Sequence, residues 1–308
     1  MADVTDFAFR KIISKYGKPD VFWTEFVSAD GLAHHEARKK LLIDLKYEKG
    51  QHPIVAQIFG GKPENIRSAA KLCAELGFDG VDINMGCPDR AVEKQGAGCG
   101  MIKSPEVAGE VIKAAKEGVQ EAAGANEKAI PISVKTRLGY NKVEMDWIRL
   151  LLEQNIAVLT VHLRTRKEMS KVSAHWDLMK DIVAMRNASG KNTLIIGNGD
   201  VESLADAKKK VKETGCDGIM FGRAIFGNPW LFAGKNPNVK ERLKVLAEHT
   251  KLFEKELGKY KNFSIMKKHF KAYVNGFDGA KELRMKLMEA ENANGVKKII
   301  TDYLNCTN

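Results

Sequence analysis

Seven short apolar segments recur along the first 225 residues, and a longer stretch with helical spacing follows each of them. Short runs rich in β-branched residues that end in glycine or a polar residue predict strands, and strands that alternate with helices pair in parallel. The pattern therefore predicts an α/β fold whose sheet is buried on both faces. The segments are DVFWTEFV, PIVAQIFG, GVDINMG, ISVKTRLG, VLTVHLRT, TLIIGNGD and GIMFGRA.

Two architectures fit this alternation, a closed (β/α)8 TIM barrel and a doubly wound sheet. The barrel is favoured because distinctive polar residues fall at the C-terminal ends of the strands, where barrel enzymes place their chemistry. The chain begins with MADVTDFAFRKIISKYG, which predicts a loop and a helix, so we expect the first of eight strands to be truncated. The polar residues are Gln57, Asn84, Cys87, Lys135, His162, Arg164, Asn198, Asp200 and Arg223.

The pattern changes near residue 236, after GNPWLFAGKNPNVK. Residues 237–308 predict three or four amphipathic helices with no strand between them, so we expect a barrel domain over 1–236 and a helical domain over 237–308. Residues 240–308 hold 15 Lys and Arg against 9 Asp and Glu, which places +6 of the net charge of +11 there. A basic terminal domain indicates a polyanionic partner such as nucleic acid, and a solvated basic surface is the alternative.

Composition excludes several classes of protein. The five cysteines are odd in number and form no C-x-x-C pair, which suits a reducing cytoplasm and argues against a disulfide framework or a zinc site. No apolar run reaches 18 residues, and the N-terminus lacks the pattern of a secretory signal, so no membrane association is expected.

Glycines at the ends of the last two predicted strands indicate a phosphate site. Gly197, Gly199 and Gly222 permit close approach of the backbone, and Arg223 adds a guanidinium that can donate two hydrogen bonds. In barrels the loops after strands seven and eight commonly bind phosphate through backbone N–H groups. The alternative is that these glycines only turn the chain.

Three further side chains are candidates for ligand contacts. Lys135 lies among apolar neighbours, and because a buried ammonium is costly it indicates either an anionic ligand or a structural carboxylate such as Asp82. His162 and Arg164 lie two residues apart, on one side of a strand. A histidine there is either a satisfied core residue or a ligand contact, and the neighbouring candidates favour the ligand.

Cys87 lies between Gly86 and Pro88, on the turn that follows a predicted buried strand. A lone cysteine is most often a small buried hydrophobe. The chemical alternatives are a nucleophile, a proton donor and a metal ligand, and the absence of a second cysteine or histidine at ligand spacing weighs against a metal. The choice between nucleophile and proton donor stays open at this point.

Together these segments resemble the tRNA-dihydrouridine synthases, most closely the B branch of the bacterial enzymes. The resemblance covers essentially the whole chain, and the order and spacing of its motifs make it specific. The motifs are MADVTDFAFR, VAQIFG, DINMGCP with the following GAG loop, VKTRLG, VHLRTR, NGD and GRAIFGNPWLF.

The resemblance implies flavin mononucleotide (FMN) in the barrel mouth, reduced by NADPH. The reduced flavin passes a hydride to C6 of a uracil in the tRNA D-loop, and a cysteine, here Cys87, protonates C5. Asn84 would contact the uracil, and Arg164 and Arg166 would face the RNA. The residues that would bind FMN are Met1, Gln57, Lys135, His162, Asn198, Gly199, Asp200, Gly222 and Arg223.

The basic helical domain would then grip tRNA phosphates, and the protein is expected to be a monomer in the cytoplasm. Three features depart from the family pattern: the missing first strand, which suggests a start codon assigned too late, Leu163 in place of a small residue, and Cys99 in the GAG loop. Two rival functions remain, a flavin-dependent barrel oxidoreductase for a small molecule, similar to dihydroorotate dehydrogenase, and a tRNA-binding protein without catalysis.

Overall fold

The computed structural model describes residues 1–125 and 127–306. Within them seven strands form one sheet in the order of the chain, and every recorded pairing from β2 to β7 is parallel. The strands are β1 (Phe22–Ser28), β2 (Ile54–Phe59), β3 (Gly80–Met85), β4 (Ile132–Arg137), β5 (Val158–His162), β6 (Leu194–Asn198) and β7 (Gly218–Met220).

Helices alternate with these strands and then continue alone. Those up to β7 are α1 (Phe7–Tyr16), α2 (Ala29–Ala33), α3 (His35–Leu41), α4 (Pro63–Glu75), α5 (Arg90–Glu93), α6 (Pro105–Ala123), α7 (Met145–Glu153), α8 (Met179–Ala188) and α9 (Leu204–Thr214). Those after β7 are α10 (Val239–Leu257), α11 (Met266–Tyr273), α12 (Ala280–Glu289) and α13 (Ala293–Cys306). The α/β barrel class, with a helical C-terminal part, is confirmed: the described residues supply seven strands in barrel order.

Local sequence signals start these helices. Pro63 and Pro105 occupy the first turns of α4 and α6, where a missing N–H costs nothing. The hydroxyl of Ser203 accepts a hydrogen bond at the start of α9. At the start of α10, Asn238 and Glu241 each accept a backbone N–H of the other, a capping box that the sequence marks three residues apart.

The parallel register separates the two faces of the sheet chemically. One face carries aliphatic residues such as Ile83 and Val134, which are both fully buried. Helix α7 contacts this face, where the indole N–H of Trp147 donates a hydrogen bond to Thr136 Oγ1 at 2.9 Å. The other face carries polar residues at every second position. Its cross-strand pairs include Gln57–Asp82, Asp82–Ser133, Asn84–Lys135, Lys135–Thr160, Arg137–His162 and His162–Asn198.

Two compact units divide the chain. The first comprises Met1–Glu25, Lys46–His52 and Arg223–Asn308, and the second comprises Phe26–Leu45 and Pro53–Gly222, with all of β2 to β7. The first unit thus joins N-terminal residues to the terminal helices, whereas the domain boundary near residue 236 stays a prediction. No helix within the described residues combines the length and the apolar composition that a bilayer span requires.

Two histidines lie in the core of the first unit. His249 of α10 and His269 of α11 are both fully buried, with ring centroids 4.6 Å apart, and Phe9 stacks on His249 at 5.1 Å. Neither imidazole has a hydrogen-bond partner among the described residues. Burial, with a smaller contribution from Lys268, lowers the pKa of His269 to about 3, and burial lowers the pKa of His249 well below its usual value.

These depressed pKa values predict acid sensitivity. Because only the unfolded chain protonates these imidazoles near their usual pKa of 6.5, stability is full above 6.5 and is lost as the pH falls toward 3. Between pH 7 and pH 5 each buried histidine then removes about 2 kcal/mol from the free energy of unfolding. Between pH 7 and pH 5, the free energy of unfolding of His269→Leu should therefore fall by about 2 kcal/mol less than that of the wild type. Urea unfolding at the two pH values measures this difference.

His35→Asn, a substitution at an exposed histidine, is the control. Its free energy of unfolding should change between the two pH values by the same amount as that of the wild type. An equal loss of stability in His269→Leu and the wild type would contradict the buried, neutral state of His269.

Candidate active site at the carboxyl ends of the strands

A chain of hydrogen bonds runs across the polar face of the sheet. Ser133 Oγ donates to Asp82 Oδ1 at 2.6 Å, and Gln57 Nε2 donates to Asp82 Oδ2 at 2.7 Å. Asn84 Nδ2 in turn donates to Gln57 Oε1 at 3.0 Å. Because a carboxylate only accepts, Asp82 fixes which end of each amide faces which neighbour. Gln57 and Asn84 are therefore held in single orientations.

Asn84 also shapes the turn that carries Cys87. Its Oδ1 accepts the backbone N–H of Gly86 at 3.1 Å and that of Cys87 at 2.9 Å. The carbonyl oxygen of Cys87 accepts the N–H of Cys99 at 2.9 Å. The backbone of Cys87 is thus held from both sides, and the Asn84 amide, predicted to contact uracil, here forms the turn.

The Cys87 side chain is half-buried against a small apolar cluster of Phe59, Val92 and Ala97. Burial raises the pKa of the Cys87 thiol, and burial likewise raises the pKa of the fully buried Cys99 to about 12. Both groups therefore stay protonated at neutral pH. Of the two roles that the sequence left open for Cys87, a proton donor fits this environment and a thiolate nucleophile does not.

Lys135 is one of two cations on the polar face of β4, the other being Arg137. Its ammonium makes no hydrogen bond or ion pair with any described residue, while both oxygens of Asp82 are occupied by Gln57 and Ser133. Burial, and next the positive charge of Arg137, lowers the pKa of Lys135 to about 8, and Asp82 opposes this shift. The structural pairing of Lys135 with Asp82 is therefore not made, and its donors are available to a ligand.

His162 and Arg164 follow one another on the same side of β5. Arg164 donates from one terminal nitrogen to His162 Nε2 at 3.2 Å, and since a guanidinium only donates, the proton of His162 lies on Nδ1. Burial, followed by the charges of Lys135, Arg137 and Arg164, lowers the pKa of His162 to about 2. His162 is therefore a neutral histidine with an Nδ1–H to donate.

Arg164 is committed within the protein. Its side chain is 3% exposed, its Nε donates to the carbonyl of Val172 at 2.7 Å, and its other terminal nitrogen pairs with the carboxylate of Asp200. The sequence predicted that Arg164 faces RNA and that Asp200 binds the cofactor. The structure brings the two together as a mostly buried ion pair, and their predicted ligand roles stay predictions.

The ends of β6 and β7 contain the predicted phosphate residues. Asn198 Nδ2 donates to the carbonyl of Met220 at 2.7 Å and so ties the two strands together. Gly199 has φ +128°, and a Cβ there would lie 2.9 Å from the Cβ of Ala174, so only glycine fits. A Cβ at Gly222 would make an ordinary van der Waals contact with the Asn198 amide nitrogen at 3.9 Å, so packing does not demand glycine there.

Met1 and Arg223, the two other residues predicted to bind the cofactor, belong to the first compact unit. The terminal ammonium of Met1 donates to Thr5 Oγ1 at 2.8 Å, and Arg223 begins a short 3-10 turn that ends at Ile225. Their roles stay predictions. In the second unit Arg166, predicted to face RNA, donates instead to both carboxylate oxygens of Glu93.

The sequence did not single out three residues of this site, Ser133, Arg137 and Glu93, and it named Asp82 only as a structural partner for Lys135. Ser133 and Arg137 share the face of Lys135, so the period of two along the strand was the signal for them. Glu93 carried no such signal, since its partner Arg166 is distant in the chain.

The buried pair of Arg164 and Asp200 predicts a measurable stability cost. Asp200→Asn keeps an acceptor for the N–H of Ala174, now at 2.9 Å, and asparagine tolerates the φ of +52° at this position. It removes the charge opposite a buried guanidinium, so the free energy of unfolding should fall by about 2 kcal/mol. Urea unfolding measures this change.

Asp146→Asn is the matched control, because it removes a carboxylate from an exposed ion pair with Arg149 and should change stability little. Equal effects of the two substitutions would show that the Arg164–Asp200 pair contributes nothing beyond a surface contact.

A family model and individual relatives match this sequence over nearly its whole length. The sequence model of the family described as dihydrouridine synthase matches residues 1–306. A probable tRNA-dihydrouridine synthase of Staphylococcus aureus is 41% identical over 98% of this chain and 91% of its own length. A second relative, the probable tRNA-dihydrouridine synthase 2 of Bacillus subtilis, is 41% identical over 98% of this chain and 92% of its own.

A solved structure, an old yellow enzyme homologue from Zymomonas mobilis, shares 13% identity at a TM-score of 0.47, covering 74% of this chain and 82% of that one. That likeness is too low to bear on function. The family match and the two relatives, which span nearly the whole chain, establish that this protein belongs to the dihydrouridine synthase family.

Proposed function

We propose that this protein is a tRNA-dihydrouridine synthase, which reduces a uridine of the tRNA D-loop to 5,6-dihydrouridine with FMN as hydride carrier and NADPH as reductant. One observation carries the proposal. Lys135, a cation that makes no hydrogen bond or ion pair with any described residue, lies near the end of β4, and the protonated thiol of Cys87 follows the end of the adjacent strand β3. Membership of the family supports the choice of substrate.

The donors on the polar face fit FMN. The flavin ring system presents carbonyl oxygens and becomes electron-rich on reduction, and Lys135 offers an ammonium, while His162 offers an Nδ1–H. Glycines at 199 and 222, at the ends of β6 and β7, would let backbone N–H groups come close to a phosphate. Bound there, FMN reduced by NADPH would supply the hydride that amino-acid side chains cannot.

Lys135 places its positive charge where negative charge would develop. At pH 7 the group is protonated, because its pKa is about 8, and the low pKa of His162 keeps that neighbour from competing as a second cation. Gln57 and Asn84 cannot rotate away, since Asp82 fixes them. The chain thus offers a rigid, positively charged surface, which is the kind of preorganisation that lowers a barrier.

Cys87 supplies the proton. Addition of a hydride at C6 of uracil leaves the electron pair at C5, and the thiol of Cys87 donates a proton to that carbon. The thiolate that remains then takes a proton from solvent, so the uracil gains two hydrogens and Cys87 is restored. A thiol with a raised pKa is present as the acid at neutral pH, which this step requires.

The tRNA must deliver its base out of the stack, since a uracil inside folded RNA cannot reach a site on a sheet. The phosphates of the tRNA backbone would then be contacted by basic residues that make no ion pair with a described residue of the protein. Arg164 and Arg166 are paired within the second unit, and Lys261 and Lys268 pair with Glu25 and Asp3 within the first. Exposed lysines such as Lys259 and Lys271 make no ion pair with any residue that the structure describes, so they can meet phosphates and affinity for tRNA should fall with salt.

Loss of the Cys87 thiol tests the function. Unmodified tRNA is incubated with protein, FMN and NADPH, digested to nucleosides and examined by mass spectrometry for uridine that gains about two mass units. We expect product from the wild type and a rate lower by about 10²-fold or more from Cys87→Ala, because a positioned general acid contributes that much. Cys306→Ser, which removes an exposed thiol, should retain the wild-type rate.

Three outcomes would count against the proposal. Equal rates in Cys87→Ala and the wild type would remove Cys87 as the proton donor. Bound flavin without tRNA product would point to a small-molecule substrate, and tRNA binding without flavin would point to a binding protein.

A further inference from the structure

Two arginines cross-link the segment that carries Cys87 to the segment that follows β5. We define the Cys87 loop as residues 86–99, between β3 and the buried turn around Cys99, and the β5 loop as residues 163–175. Both loops lie in the second compact unit. The two loops follow β3 and β5, which are separated by β4, so links between them are needed if a side chain on one loop is to hold a fixed position.

Arg137 makes the first link. This side chain, 7% exposed, donates from Nε to the carbonyl oxygen of Gly86 at 2.9 Å. One of its terminal nitrogens donates to the carbonyls of Thr165 and Met169, both at 3.2 Å. The residue that precedes Cys87 is therefore tied to the β5 loop.

Arg166 makes the second link, in the opposite direction. From the β5 loop its Nε donates to Glu93 Oε1 at 2.6 Å and a terminal nitrogen donates to Glu93 Oε2 at 3.1 Å. The Tyr140 hydroxyl donates to the same Glu93 Oε2 at 3.1 Å, and the backbone N–H of Arg166 donates to the carbonyl of Gly139 at 2.9 Å. The two side chains are only 26% and 11% exposed, so this bidentate pair is well shielded from solvent.

Glu93 is connected to Cys87 through packing contacts. Glu93 is the last residue of α5, and the residue before it, Val92, packs in the same apolar cluster as the Cys87 side chain. Gly98 closes the loop with φ +56°, and a Cβ there would lie 2.6 Å from the carbonyl oxygen of Cys87 and 2.9 Å from Val92 Cγ1. Because these atoms are closely packed, a shift of α5 would also displace Cys87.

We propose that Glu93, Tyr140 and Arg166 form a clamp that positions the Cys87 thiol, and that Arg166 acts through Glu93 rather than by binding RNA phosphate. The charges favour this role: the guanidinium is already neutralised by a carboxylate in a two-point contact, and Glu93 raises the pKa of Arg166. The proposal deepens the proposed function and rests on it for its catalytic part. It replaces the expectation, drawn from the motif, that Arg166 faces the tRNA.

The clamp has a kinetic signature distinct from that of a phosphate contact. Misplacing a reacting group by about 1 Å can cost about 10²-fold in rate without weakening substrate binding. A lost phosphate contact instead weakens tRNA binding and lowers the dependence of log affinity on log salt by about one. The two roles are therefore separated by measuring the rate and the binding together.

The experiment uses Glu93→Gln, Arg166→Gln, Arg166→Lys and the double variant Glu93→Gln with Arg166→Gln. Each single variant should lower kcat by about 10-fold to 100-fold and leave the Kd for tRNA within about twofold at every salt concentration. The double variant should be no slower than either single one, since both remove the same contact. Lysine cannot make the bidentate pair, so Arg166→Lys should be as slow as Arg166→Gln.

A second readout requires neither flavin, NADPH nor tRNA. The rate at which iodoacetamide alkylates Cys87, measured by peptide mass spectrometry, should rise by about tenfold in Glu93→Gln and in Arg166→Gln alike, because the loop opens more often. The exposed Cys306 is the internal reference in each sample. Arg67→Gln, which removes the α4 arginine from an exposed ion pair with Glu121 of α6, should leave both readouts unchanged.

Two results would overturn the clamp. Arg166→Gln could weaken tRNA binding and lower its salt dependence while Glu93→Gln does neither, which would make Arg166 a phosphate ligand. Unchanged alkylation of Cys87 in both variants would show that the pair does not position the thiol. If alkylation changes as expected but no variant, and no wild type, forms dihydrouridine, then the clamp stands and the proposed function fails.

Discussion

The parallel register of the sheet is the constraint on which the site depends. With side chains alternating along each strand, a polar residue at one position commits its neighbours two places away to the same face. In this protein the rule collects Asp82 and Asn84 from β3, Lys135 from β4 and His162 from β5. A slip of one residue would move all of them to the face that packs on the helices, and would bring buried aliphatic residues to the ligand side.

That face is unusual in the charges it concentrates. Lys135, Arg137 and Arg164 lie near a histidine that they help to keep neutral, and each of the nearby carboxylates of Asp82 and Asp200 is engaged in hydrogen bonds or an ion pair. Burying cations in this way costs free energy that a soluble scaffold would avoid. An electron-rich ligand bound on this face would offset the cost of burying these cations. Lys135, which makes no hydrogen bond or ion pair with any described residue, is the cation that we expect to contact that ligand.

The same logic divides the arginines by role. Arg137 and Arg166 cross-link loops, and Arg164 orients His162 while it pairs with Asp200. Motif resemblance alone groups Arg164 and Arg166 as residues that face RNA. The contacts instead show both guanidiniums turned toward carboxylates of neighbouring loops. Under the proposed function, contact with the tRNA backbone would then depend more on lysines than the motif suggests.

Much of the fold could be predicted from the sequence because its signals are local. Six of the seven strands fall within the predicted apolar segments and β1 extends one residue beyond its segment, to Ser28, while the helices after residue 236 follow from helical spacing. The partners of Arg166 and Asn84 could not be predicted in this way. The Arg166–Glu93 contact joins positions 73 residues apart, and its existence depends on how two loops meet.

The inward-facing polar residues are intermediate cases. Ser133 and Arg137 follow from the period of two once Lys135 is placed, whereas the state of Lys135 depends on whether Asp82 is already satisfied by other donors. The buried histidines of the first unit gave no signal, since each has the helical spacing of an ordinary core residue. Tertiary burial, which the sequence does not reveal, decides their pKa values.

The most direct test of the central claim, that the polar face is a cofactor site completed at Lys135, is a fluorescence titration of FMN at several pH values. We expect the wild type to bind one FMN per chain, with affinity that declines as the pH rises through about 8, where Lys135 loses its charge. Lys135→Met should bind FMN more weakly and show no decline in that range. A wild type that binds no FMN, or a Lys135→Met variant with the same affinity and pH dependence as the wild type, would contradict the account.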